Sequence, residues 1–85
     1  MRQAVMGKQR VKFTFVGNLV KEPVIYQLGR DFKVVTNIRR ADVQEDMGWV
    51  MLELDGEDAE IRRGLAWVRS TGVRVDLVSG DVIEG

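Results

Sequence analysis

Apolar and polar residues alternate over 11–16 (VKFTFV), with Val11, Phe13 and Phe15 set against Lys12 and Thr14. A period of two is that of a strand with one buried face. Gly17 and Asn18 break the pattern, and the period then lengthens. Val20, Val24, Leu28 and Phe32 recur every fourth residue, with Ile25 widening the stripe. That spacing predicts a helix over 21–32. Pro23 fits its first turn, where a missing N–H costs nothing. Residues 33–43 (KVVTNIRRADV) open on the β-branched run Val34-Val35-Thr36 and predict a second strand. The polar stretch 44–48 predicts a turn. Residues 49–54 return to alternation, with Val50, Leu52 and Leu54 on one face, and Asp55-Gly56 is expected to end the strand. From 57 to about 71 the period is again helical. Acidic residues crowd the first turn, Arg69 lies near the end, and Ile61, Leu65 and Val68 form the apolar face. Gly72 suits the stop. Residues 73–77 alternate once more, Val73, Val75 and Leu77 against Arg74 and Asp76.

The order is β-α-β-β-α-β. Right-handed crossovers put both helices on one face of a four-stranded antiparallel sheet with strand order 4-1-3-2. An α+β sandwich of the ferredoxin-like type is therefore expected over 11–78. Residues 1–10 are expected to form a flexible tail, and 79–85 a tail or linker. The second and fourth strands are the edges. Ile38 and Leu77 fall in the helix-facing rows. Lys12, Thr14, Val35, Asn37, Arg39, Trp49, Met51, Glu53, Arg74 and Asp76 fall on the open face.

Composition narrows the function. The chain has 85 residues, 45% hydrophobic and 31% charged, which fits one small globular domain. Lys plus Arg equals Asp plus Glu at 13 each, so no net charge draws it to nucleic acid or to an anionic membrane. With no cysteine and no histidine, it has no disulfide, no thiolate cluster ligand and no imidazole base. No apolar run reaches the roughly 18 residues that span a bilayer. Residues 1–10 are too polar for a signal peptide. A cytoplasmic protein without cofactor, metal, nucleic-acid or direct membrane contact is expected.

Catalysis is not expected either. The hydroxyl groups, at Thr14, Tyr26, Thr36, Ser70, Thr71 and Ser79, stand in no nucleophile motif. The carboxylates cluster at a turn and a helix start, where solvated acids and caps belong. Gly17 has no companion glycine to cradle a phosphate. What remains is the open face. Val35, Trp49 and Met51 are costly to leave wet as one patch, and an unpaired second strand invites pairing with a second copy. These three residues are the expected dimer or partner interface.

Several strings, taken in order, resemble the NIL domain: VKFTFVG at 11–17, EPVI at 22–25, TNI at 36–38, LELDG at 52–56, AWVR at 66–69 and GVRV at 72–75. The resemblance covers about 11–78. The family takes its name from an Asn-Ile-Leu motif, which here reads Asn37-Ile38-Arg39, so the third residue departs. NIL domains are known as C-terminal regulatory parts of methionine-importing ABC transporter ATPases, where they dimerise and bind methionine. Others are fused ahead of a dicluster ferredoxin module. The resemblance implies a regulatory domain sensing an amino acid such as L-methionine at a homodimer interface. It makes Asn37, Ile38 and Arg39 the ligand-binding positions, and an ABC ATPase or ferredoxin module the fused or associated partner. Two other readings share the fold. One is an accessory interaction module in sulfur or redox metabolism with no ligand of its own. The other is RNA binding through Trp49, which the acids Glu53 and Asp76 on the same face disfavour.

Overall fold

The computed structural model describes residues 6–78. Its elements in chain order are β1 (Met6–Val16), a 3₁₀ turn (Gly17–Lys21), α1 (Val24–Asp31), β2 (Val34–Val43), β3 (Met47–Glu57), α2 (Asp58–Ser70) and β4 (Arg74–Val78). The sheet order is β2-β3-β1-β4, with every neighbouring pair antiparallel. This is the expected 4-1-3-2 order read from the other edge, and the fold is ferredoxin-like α+β. Among the described residues no helix is long and apolar enough to cross a membrane.

The core is one layer between the sheet and the helices. Val11, Phe13 and Phe15 of β1 and Val50, Leu52 and Leu54 of β3 are buried, and so are Val24, Leu28, Ile61, Leu65 and Val68 from the helices. Burying a side chain of this size stabilises the fold by about 1.5–3 kcal/mol, so these central rows dominate. Gly64 lets α2 approach α1 closely: a Cβ there would lie 2.7 Å from Leu28 Cδ1. Gly72, at φ 100°, turns the chain out of α2 in a conformation that glycine takes readily.

Several expected boundaries move. β1 begins at Met6, so residues 6–10 belong to the strand and not to a tail. They pair with 53–57 of β3, and Lys8–Asp55 and Arg10–Glu53 form cross-strand ion pairs, both at 3.5 Å. Residues 1–5 and 79–85, the rest of the expected tails, lie outside the described residues. The helix expected over 21–32 divides. Residues 17–21 take the 3₁₀ turn, and Pro23 stands at the N-cap of α1 rather than inside its first turn. The expected turn over 44–48 is shorter, because β3 starts at Met47. Asp55-Gly56 does not end β3. Gly56 is buried opposite Val34 and Gly7, where a Cβ would lie 2.7 Å from the Lys33 carbonyl oxygen.

Candidate functional site

The register shows which side chains share the open face. Along β3 these are Met47, Trp49, Met51, Glu53 and Asp55. Val16, Thr14, Lys12, Arg10 and Lys8 lie opposite them on β1. On β2, Val35 faces Asp55, Asn37 faces Glu53, Arg40 faces Met51 and Asp42 faces Trp49. The ladder slips between Ile38 and Arg40. Arg39 is therefore the extra residue of a β-bulge. It was expected on the open face, but the bulge gives that place to Arg40. An uninterrupted ladder would turn Arg40 and Asp42 toward the helices, where charge is costly to bury.

The face has two halves. At one end Val16 (61% exposed), Met47 (47%) and the half-buried Trp49 and Met51 form an apolar strip. Lys12 caps Trp49, its ammonium 5.3 Å from the ring centroid. At the other end stand the ion pairs Lys8–Asp55 and Arg10–Glu53. Val35 is exposed, but it lies opposite Asp55 in the charged half. The expected patch of Val35, Trp49 and Met51 is thus not one surface. Trp49 and Met51 instead join Val16 and Met47. The sequence hid Met47 in a polar stretch read as a turn.

The ligand-binding candidates also divide. Asn37 is exposed on the open face, beside Glu53 and near Arg10. Ile38 points to the helix side, as its pairing with Leu52 requires. It was expected in the core, yet it is 55% exposed, as a residue of the edge strand with no further strand beside it. Leu77 is likewise on the helix side and 54% exposed. Arg39 sits in the bulge between the two faces. So the three motif residues are adjacent in sequence without converging on one point.

On the helix side, a groove of about 220 Å³ opens between the start of α1 and the β2–β3 hairpin, lined by Phe15, Val20, Val24, Ile25, Val43 and Val50 with Glu22 and Tyr26. No sequence signal marks it, since it depends on how far α1 reaches across the sheet. Titration is perturbed elsewhere. Arg30 donates hydrogen bonds of 2.8 and 3.0 Å to Asp31, which holds the Asp31 carboxyl below its ordinary value against a smaller desolvation effect. The pair is exposed at the end of α1, on the helix side of the sheet. Among the described residues no group of three acidic, His or Cys side chains could hold a metal ion.

The described residues thus form a ferredoxin-like domain with one uncovered sheet face and an exposed asparagine on its edge strand. The NIL domain family model matches residues 9–77, and the chain belongs to that family. Its relatives include Methionine import ATP-binding protein MetN 1 of Enterococcus faecalis, 28% identical over 85% of this chain. MetN of Helicobacter pylori J99 is 30% identical over 76% of the chain, and MetN 1 of Bacillus licheniformis 31% over 80%. The match spans about a fifth of each relative's length: 21%, 21% and 22%.

Proposed function

We propose that this chain is a non-catalytic regulatory domain that binds an amino acid such as L-methionine where two copies meet. The observation that carries the reading is the position of Asn37. It lies within the NIL match, exposed on the uncovered face, one residue before the bulged segment of an edge strand. Bulges re-aim side chains and are frequent beside functional sites. The Asn37 amide offers two donors and an acceptor. Glu53 lies opposite Asn37 on β3 and is paired with Arg10 of β1, so the amide stands beside a carboxylate that an amino acid's ammonium could share.

One copy gives Asn37 a floor without walls, because Val35, Arg39 and Arg40 around it are exposed. Small-ligand sites bury most of their ligand, so a second copy at the β2 edge supplies the missing side. Methionine is the first ligand to test because the MetN relatives are named for methionine import. On this reading the chain works in the cytoplasm, fused to or associated with an ABC ATPase or a ferredoxin module. A second reading, docking to a protein partner without a ligand, is favoured by the apolar strip of Val16, Met47, Trp49 and Met51.

Asn37→Ala tests the site. The side chain is exposed, so the melting temperature should hold. Methionine affinity should fall about tenfold, the usual worth of a hydrogen bond or two in a site. Unchanged affinity would remove Asn37 from the site.

A further inference from the structure

The groove on the helix side has a structural cause. One rung of the sheet there reads Phe15, Gly48, Val43 across β1, β3 and β2. All three positions face the helices, and the middle one has no side chain. A Cβ on Gly48 would lie 3.1 Å from Val43 Cα, so this close pairing keeps the position small and the floor recessed. Above it, α1 starts only at Val24 and runs eight residues, about 12 Å. The ten-residue β2 beneath it is roughly 33 Å long, and its far end is left uncovered. Val43 stands at the lip, 59% exposed.

The groove's charge is one-sided. Glu22, exposed to solvent, lines it, and among the described residues no ion pair or side-chain hydrogen bond holds its carboxylate. Tyr26 lines it too, but the Arg30 guanidinium that lies 5.4 Å from the Tyr26 ring is already paired with Asp31. An apolar recess with one uncompensated carboxylate at its rim complements an apolar group that carries a positive charge. The volume of about 220 Å³ fits a single branched side chain rather than a drug-sized molecule.

We propose that this groove is a second binding site, which takes a small primary ammonium compound with a short apolar tail. The tail lies on Phe15, Val43 and Val50, and the ammonium meets Glu22. The site is on the opposite face from Asn37 and does not rest on the amino-acid reading.

The test uses amide correlation spectra of the ¹⁵N-labelled chain, titrated separately with 3-methylbutylammonium and with 4-methylpentanoate. The amine should give saturable shifts centred on Val20, Ile25, Val43 and Val50, and the carboxylate should not saturate. Glu22→Gln should weaken amine binding about three- to fivefold, the scale of an exposed ion pair. Val43→Asn, at the exposed lip, should weaken it as well while leaving the rest of the spectrum in place. Shifts that do not saturate, an equal response to the carboxylate, or Glu22→Gln binding the amine like the wild type would overturn the site. In a parallel titration with L-methionine, shifts at Asn37 and Glu53 report on the open face and shifts at Val20, Ile25 and Val50 on the groove, so the failure of either reading is seen apart from the other.

Discussion

Two glycines show how a single atom decides packing. At Gly56 a Cβ would meet the Lys33 carbonyl oxygen at 2.7 Å, which is backbone and cannot step aside. At Gly64 the same distance leads to Leu28 Cδ1, the mobile end of a side chain. Alanine is also the better helix former by about 1 kcal/mol, which offsets part of the crowding at 64. Gly56→Ala should therefore destabilise the fold by about 1–3 kcal/mol, and Gly64→Ala should stay within about 1 kcal/mol of wild type. Urea denaturation measures both, and the opposite ranking would contradict the packing described. The core was legible at this scale: Val11, Phe13, Val50, Leu52, Leu54, Ile61, Leu65 and Val68 are buried as their spacing predicts. Ile38 and Leu77 show the limit. Periodicity gave each the correct face, but what covers a residue of an edge strand is a tertiary fact.

Among the elements, β2 matters most, because its bulge decides what the edge presents. Arg39 is the surplus residue, so the ladder on either side of it is in phase once it is skipped. Deleting Arg39 should leave Arg40 opposite Met51 and Ala41 opposite Val50. Stability should then change by no more than about 1 kcal/mol. Inserting one alanine after Leu52 should instead put charged side chains on the core side and unfold the domain. Circular dichroism and urea titration separate the two outcomes, and a deletion as damaging as the insertion would contradict the register. The bulge could not be read from the sequence, because it exists only relative to β3. The early start of β1 has the same cause. Residues 6–10 look like a polar tail until Lys8 and Arg10 find Asp55 and Glu53 across the ladder. The 3₁₀ turn replaced the start of the expected helix because the residue before a proline is pushed out of the α region, and Glu22, extended at φ −85° and ψ 136°, separates 17–21 from α1.

As a whole the molecule is thin, about 47 × 27 × 16 Å, with helices on one face and none on the other. In the proposed function a second copy sits at the β2 edge, and the uncovered face offers the alternative contact. If the apolar strip is the interface, Met47→Glu or Trp49→Glu should weaken the dimer at least about tenfold, as removal of a central anchor does. Sedimentation equilibrium reads this directly, and a wild-type chain that stays monomeric at high concentration would contradict the interface. The proposed site was only half legible at this scale. Asn37 and the neighbouring acids could be placed on the open face by alternation, while the apolar strip required the pairing of Met47 with Val16. RNA binding gains no support, since Glu53, Asp55 and Asp76 share the face that would stack bases.

On the proposed function this NIL domain binds an amino acid as a regulatory ligand. Isothermal titration of the purified chain with L-methionine, with L-valine as control, tests it most directly. Saturable heat is expected for methionine, and clearly weaker binding for valine. Flat heat for methionine into the millimolar range would contradict it and leave the apolar strip, as a docking surface, to explain the domain.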